Sequence, residues 1–138
     1  MPVGDIVWVE YPAANGHEQA GRRPSLVLQD DGFAMNSPLV ITIPFTTAAS
    51  TVARFPAVIP VVASGQNGLA RDSFLLVFQI RAIDRRRVSE PIGSIDHAVL
   101  SQVYLALDLL TGRSDPPSFE PSDSSPQRLM PRGRTLTI

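Results

Sequence analysis

The chain's strand-favouring segments are short and are separated by proline and glycine, and this pattern constrains the fold more than any other feature. Proline lacks the N–H that a strand ladder needs, and glycine favours turns, so each segment ends where these residues begin. The composition of the segments predicts strands at residues 6–11, 25–29, 39–46, 58–62 and 74–83. Strands this short, with turns between them, are typical of a small barrel.

Two of these predicted strands carry further expectations. Pro44 lies inside the third one, which implies an edge, a bulge or a bend at that point. The segment 74–83 is the longest and begins with a continuous apolar run, which is typical of a strand covered on both faces.

Residues 94–112 are the exception to the β pattern, because their apolar residues recur at helical spacing. Ser94 is the expected N-cap, Asp96 falls in the first turn, where the helix dipole favours an anion, and Gly112 stands where a C-cap is expected. We therefore predict a C-terminal helix. The apolar residues at this spacing are Ile95, Val99, Val103, Leu107 and Leu110.

The composition changes near Gly112, which predicts one domain over residues 1–112 and an extension over 113–138. The extension holds five prolines and five serines in 26 residues, so we expect it to be extended or disordered. Its last part, 128–138, also has the alternation of an edge strand.

Composition excludes several classes of function. Without cysteine the chain has no disulfide, no thiolate nucleophile and no cysteine-ligated zinc, which fits a reducing cytoplasm. The sequence also predicts no secretory signal and no membrane helix, and it shows no carboxylate cluster or His/Cys set with metal-ligand spacing. A net charge of −1 argues against general coating of nucleic acid, although all 12 basic residues are arginines, which bind phosphate bidentately.

The loop 16–24 between the first two predicted strands is the most informative stretch. It is polar and contains two glycines, and from composition alone it fits a solvated hairpin loop as well as a functional one.

Read together with other segments, however, this loop resembles the signature of the MazF/PemK toxin family. The resemblance covers residues 3–112 in order and leaves out the extension. The similar segments are Gly4-Asp5-Ile6-Val7-Trp8-Val9, Gly16-His17-Glu18-Gln19 with Gly21 and Arg23-Pro24, Ile43-Pro44-Phe45-Thr46-Thr47, Ser64-Gly65-Gln66, and Gln79-Ile80-Arg81-Ala82-Ile83-Asp84.

The resemblance implies a mainly β (α+β) fold, namely an SH3-like small barrel of the CcdB/MazF/Kid type with a C-terminal helix. It also implies a cytoplasmic homodimer that acts as an endoribonuclease (an mRNA interferase) on single-stranded RNA at short motifs. In such enzymes the 2′-hydroxyl attacks the adjacent phosphate and leaves a cyclic phosphate and a 5′-hydroxyl, without metal or cofactor. A cognate antitoxin, usually acidic and partly disordered, neutralises the toxin.

Two residues match the family's catalytic positions. Arg23, directly before Pro24, would hold two phosphate oxygens as negative charge builds, and the alternative for it is a structural ion pair with Glu18. Thr46 would donate its hydroxyl to the phosphate, and the alternative is a β-branched residue that serves the strand alone.

Further residues of the motifs are expected to bind substrate. Among them, His17 titrates near neutral pH and is either a modulator or the general acid. The set is His17, Glu18, Gln19, Thr47 and Gln79.

The chain departs from the family at Phe78, where an acid often stands, and at Leu76, where certain relatives have an arginine. The general base is therefore unassigned, because arginine hardly deprotonates. The run Arg85–Arg87 is either a solvated charged turn or a contact to the RNA backbone, and His97 is expected to be a surface residue.

Two other functions remain open. One is a CcdB-like toxin that poisons DNA gyrase, and the other is a non-catalytic SH3-like binding module. The cleavage motif does not follow from the sequence, because recognition is expected to depend on loops such as 50–54 and 66–72.

Overall fold

The computed structural model describes residues 1–13, 16, 19–34, 36–52 and 55–113. In this part the chain forms a seven-stranded antiparallel sheet, two one-turn helices and a longer C-terminal helix. The elements are β1 (Asp5–Tyr11), β2 (Gly21–Val27), α1 (Asp31–Ala34), β3 (Leu39–Thr46), α2 (Ala49–Val52), β4 (Val58–Val61), β5 (Ser73–Leu76), β6 (Arg81–Asp84), β7 (Val88–Ser94) and α3 (His97–Leu110).

Strand β3 organises the sheet. It pairs with β2 on one side, and on the other side with β6 along its first half and with β5 along its end. The change of partner falls at Pro44, because β6 is paired up to Thr42 and β5 from Phe45. Proline has no N–H to offer a ladder, so the expected irregularity is a gap between two partner strands and not an edge.

After β6 the chain returns to β1, where β7 pairs with the side of β1 that β2 leaves open, and the sheet curls. A 3-10 turn, Arg85–Arg87, joins β6 to β7, and β7 pairs with β1 with register shifts between Ile6 and Val7 and between Val7 and Val9. Among the described strands the ladder does not close on itself, but a curled sheet with a C-terminal helix confirms the expected mainly β, small barrel-like fold.

Two apolar clusters lie on opposite faces of the sheet. The first packs α3, β4 and β5 against the central strands. Its members are Ile6, Leu26, Ile43, Phe45, Ile59, Val61, Leu69, Leu75, Val77, Ile95, Val103 and Ala106. The second lies on the other face, and its members are Val7, Val9, Tyr11, Val27, Val40 and Ile83.

The first four predicted strands are confirmed, although β2 begins at Gly21, four residues before the prediction, and takes in the end of the predicted loop 16–24. A single strand over 74–83 is wrong. Four steps back along β3, from Thr46 to Thr42, correspond to seven steps forward, from Phe74 to Arg81. The three extra residues form a 3-10 turn, Val77–Gln79, which separates β5 from β6. The sequence did not predict this turn, because Val77 is buried and apolar like a strand residue although it lies in the turn.

The C-terminal helix is confirmed, but its predicted N-cap, Ser94, is wrong. Ser94 ends β7 and pairs with Asp5, and Asp96 occupies the N-cap position without a side-chain cap hydrogen bond. Strand β7 was not predicted, because Pro91 and Gly93 are poor strand residues and the pairing with β1 overrides their preference.

The apolar stripe of α3 faces the first cluster, as its spacing predicts. Within the described residues no helix combines the length and apolar character needed to cross a membrane. Of the expected extension only Arg113 is described, so the prediction for residues 114–138 lies outside the described part.

Gly93 is held in a close backbone contact, and we expect its replacement to destabilise the fold. A Cβ at this position would collide with the backbone of Gln66 and Asn67, and Gln66 also accepts a 2.9 Å hydrogen bond from the N–H of Ser94. Gly93→Ala should therefore cost about 1–3 kcal/mol, as overpacking does. Thermal unfolding should show a midpoint lower by roughly 4–8 °C per kcal/mol.

The matched control is Gly65→Ala in the facing turn, where an added Cβ would meet nothing within 4 Å. Equal melting temperatures for the two variants would contradict the close contact.

Candidate active site

The hairpin of β1 and β2 sets the positions of the arginines in the motif loop. Val9 pairs with Arg23 and Tyr11 pairs with Gly21, whereas Trp8 pairs with Pro24. Because neighbouring residues of a strand point to opposite faces, Arg23 shares the face of Val9 and Tyr11, which is the face of the second apolar cluster.

A buried hydroxyl cluster lies on the same face and joins the three strands β1, β2 and β3. The hydroxyl of Tyr11, 2% exposed, lies 2.7 Å from the Oγ of Ser25 on β2 and 2.9 Å from the Oγ1 of Thr42 on β3. The guanidinium of Arg81 lies 5.5 Å from the centre of the Tyr11 ring, within cation–π range.

Burial raises the pKa of Tyr11, although the two hydrogen bonds and the charges of Arg81 and Arg23 oppose the rise. The phenol therefore stays protonated at neutral pH, and we exclude Tyr11 as a general base. The cluster therefore holds β1, β2 and β3 together close to Arg23 and Arg81.

Arg23 stands two residues beyond Ser25 in the direction of the motif loop. Its side chain is half-buried, and its Nε donates to the carbonyl of Ala20 at 3.0 Å. This bond fixes the plane of the guanidinium through Nε and does not use the two terminal nitrogens, which are the pair that meets two phosphate oxygens. The alternative ion pair with Glu18 lies outside the described residues.

Thr46 ends β3 and stands two residues beyond Pro44, which pairs with Ser25. Arg23 and Thr46 therefore continue the same face of neighbouring strands past their last pair. The side chain of Thr46 is only 5% exposed, and its Oγ1 accepts from the N–H of Ala48 at 3.1 Å. Since this bond occupies a lone pair, the hydroxyl proton can be donated elsewhere.

A cleft of ≈ 320 Å³ opens where these strands end. Arg23, Thr46 and Thr47 line it together, as the motifs predict, and the described lining contains no acidic residue. Two further arginines extend the positive charge along it: Arg71, and Arg22, whose guanidinium lies 4.4 Å from the centre of the Trp8 ring.

Gln19 and Gln79, the other predicted substrate-binding residues that are described, contact each other. The backbone N–H of Gln19 donates to the Oε1 of Gln79 at 2.8 Å, which ties the motif loop to the 3-10 turn between β5 and β6. The side-chain oxygen of Gln19 is buried with no hydrogen-bond partner. Neither glutamine lines the cleft. The remaining predicted residues, His17 and Glu18, lie outside the described part of the chain.

The other charged candidates have structural contacts. Arg86 forms a 2.8 Å ion pair with Asp84, whose pKa it holds far below the usual range, and Arg87 donates to the carbonyl of Glu10. These contacts support a charged turn at Arg85–Arg87. His97 is exposed, as expected. Across residues 1–13, 16, 19–34, 36–52 and 55–113, no group of three or more His, Cys, Asp and Glu is placed to hold a metal ion.

Sequence reasoning did not single out the Tyr11 cluster, Arg22 or Arg71. Tyr11 reads as the last residue of an apolar strand, and Ser25 and Thr42 read as ordinary strand residues. Only the register of three strands brings them together.

Comparison with known proteins agrees with the motifs. A family described as PemK-like, MazF-like toxin of type II toxin-antitoxin system matches residues 3–111. Endoribonuclease EndoA of Bacillus subtilis is 34% identical over 106 residues, which cover 77% of this chain and 90% of that protein. Endoribonuclease toxin MazF of Escherichia coli K12 is 30% identical over 111 residues, covering 80% and 93%.

A solved structure leads to the same family. The crystal structure of MazF from Deinococcus radiodurans superposes with a TM-score of 0.68 at 29% identity, over 81% of this chain and 96% of that one. Because the family match spans residues 3–111, the chain belongs to the PemK-like, MazF-like toxins of type II toxin–antitoxin systems.

Proposed function

We propose that this toxin is an endoribonuclease that cleaves single-stranded RNA, mRNA above all, at short sequence motifs, with Arg23 and Thr46 as its catalytic residues. The observation that carries the proposal is the position of Arg23 and Thr46, which stand on one face of neighbouring strands and line one cleft whose described lining has no acidic residue. The relatives in Bacillus subtilis and Escherichia coli are named endoribonucleases, which supports the same activity here.

The proposed reaction needs no group from outside the RNA and the protein. The 2′-hydroxyl oxygen forms a bond to the adjacent phosphorus, the bond from phosphorus to the 5′-oxygen breaks, and the products are a 2′,3′-cyclic phosphate and a 5′-hydroxyl. Negative charge builds on the phosphate oxygens in the transition state, and donors placed there lower the barrier. The terminal nitrogens of Arg23 and the hydroxyl of Thr46 supply such donors.

The remaining motif residues are assigned to substrate binding. Thr47 is exposed beside Thr46 in the cleft, and the contact between Gln19 and Gln79 holds the loop that leads to Arg23. For His17 we keep two roles, a modulator or the general acid that protonates the leaving 5′-oxygen. Glu18 is assigned to substrate binding, with orientation of Arg23 as its further role. The general base is a residue other than Tyr11, whose phenol stays protonated.

A cognate antitoxin neutralises the toxin. The family is defined by toxin–antitoxin pairs, and a MazE–MazF structure from Deinococcus radiodurans superposes with a TM-score of 0.62 at 29% identity, over 83% of this chain. A gyrase poison and a non-catalytic binding module are not favoured, since the named relatives are endoribonucleases.

We further propose that the toxin is a cytoplasmic homodimer. Helix α3 exposes Tyr104, Leu105 and Leu109 on its outer surface, which is apolar area that a second copy can cover. Sedimentation at micromolar protein should give the mass of a dimer, and a monomer at that concentration would contradict the proposal.

Arg23→Lys should lose most of the cleavage activity while the protein still folds. Lysine keeps the charge but replaces the planar pair of donors by one ammonium, so it cannot hold two phosphate oxygens in parallel. The loss of one such transition-state donor lowers turnover by roughly a hundredfold or more. Single-turnover cleavage of a labelled RNA at saturating protein measures this change.

The matched control is Arg86→Lys, which makes the same exchange at an exposed residue outside the cleft and should leave cleavage unchanged. Equal rates for Arg23→Lys and the parent, with both proteins folded by circular dichroism, would reduce Arg23 to holding the loop.

Cleavage should also proceed in EDTA, because we propose a reaction in which donors of the protein, and not a cation, stabilise the phosphate. Mapping the cleaved ends of a long RNA in the presence of EDTA checks this and reads out the sequence motif at once. Activity that chelation abolishes and Mg²⁺ restores would show that the mechanism is wrong.

A further inference from the structure

Two aromatic rings stack on each other at the surface, outside the cleft. The ring centres of Phe55 and Phe78 lie 5.9 Å apart with an angle of 28° between the planes. Phe78 is 51% exposed, whereas Phe55 is half-buried beneath it. The outer ring is therefore supported from one side and open to solvent elsewhere.

Each ring of this pair belongs to a chain segment that is linked to one of the two catalytic candidates, Arg23 or Thr46. Phe78 precedes Gln79, whose side chain accepts the hydrogen bond from Gln19 in the loop that leads to Arg23. Phe55 follows the short helix α2, which begins three residues after Thr46. The stacked rings thus join the chain segment that follows Thr46 to the turn that holds the loop before Arg23.

The residues that follow the outer ring along the chain include polar and positively charged side chains. Gln79 follows Phe78 directly, and Arg81, two residues after Gln79, is half-buried over the ring of Tyr11. A supported aromatic face on a segment that also carries hydrogen-bonding groups and an arginine suits a nucleotide, which offers a flat ring, polar edges and a phosphate.

We propose that the Phe55–Phe78 pair is a stacking platform for one base of the bound RNA strand, with Phe78 as the ring in contact. This proposal rests on the ribonuclease function proposed above. The platform lies beyond the cleft that holds the scissile phosphate, so it contributes to RNA affinity and register and not to the bond-breaking step. Stacking tolerates any base, and the larger purines gain most from it.

The test uses the full chain and a fluorescein-labelled RNA that carries the mapped cleavage site. A 2′-deoxy nucleotide at that site removes the attacking hydroxyl, so affinity is measured without cleavage. Each base is then replaced in turn by an abasic residue, and the dissociation constants are compared for the parent and for Phe78→Ala.

We expect one abasic position to weaken binding to the parent by about 5- to 150-fold, the usual range for one stacked base. Phe78→Ala should weaken binding of the intact RNA by a similar factor and should make that same abasic position neutral. Phe78→Trp should restore the loss, whereas Phe78→Leu, which keeps apolar volume without a ring face, should not.

Phe33→Ala is the matched control, since Phe33 is 77% exposed on α1 and has no part in the platform. It should leave every dissociation constant unchanged. Circular dichroism and thermal melts verify that the variants fold, and Phe78→Leu provides a second variant if Phe78→Ala melts early.

Each other outcome has a defined meaning. If Phe78→Ala binds and cleaves RNA as the parent does at every position, the platform is wrong while the ribonuclease function stands. If Phe78→Ala instead loses the dimer or the affinity for antitoxin at unchanged RNA binding, the rings belong to a protein interface and the proposal is overturned. If the parent neither binds nor cleaves RNA, the proposed function fails, and the platform fails with it.

Discussion

The hydroxyl of Tyr11 joins β1, β2 and β3 through Ser25 and Thr42, and the candidate site is built outward from this contact. A buried hydroxyl without partners costs about 1–3 kcal/mol, so the three side chains hold their strands in one relative register. Farther along the same face stand Arg23, two residues from Ser25, and Thr46, four residues from Thr42. The strands that carry the two catalytic candidates are therefore tied together by a buried polar contact.

The charge of the whole molecule says little about its ligand, because the arrangement of the arginines matters more. The net charge is −1, yet the described lining of the cleft has three arginines and no acid. Arg86, by contrast, is neutralised locally by Asp84. A phosphate approaching the cleft meets donors that have no competing carboxylate beside them, so a weakly acidic protein can still bind a polyanion at one place.

The sequence predicted the fold class and most strands, because these depend on local patterns. The order of the motifs also named Arg23 and Thr46, which line one cleft, and their catalytic role stays a prediction. The sequence did not predict β7, since Pro91 and Gly93 form a strand only through pairing with β1. It joined β5 to β6, because an apolar run does not reveal a change of partner along β3. The Tyr11 cluster escaped for a similar reason, since its three hydroxyls are distant in sequence and depend on register alone. For His17, Glu18 and residues 114–138 the predictions remain predictions.

The three extra residues between β5 and β6 have an evolutionary consequence. In a strand, a replaced side chain must still fit its face of the sheet and the residues opposite it on the neighbouring strands. The 3-10 turn Val77–Gln79 stands outside the ladders of β3, so only Val77 is committed to the core. Position 78 can therefore exchange an aromatic ring for a carboxylate or an amide without disturbing the register of β3. The residue at position 78 can therefore vary while the strands that carry Arg23 and Thr46 keep their pairing.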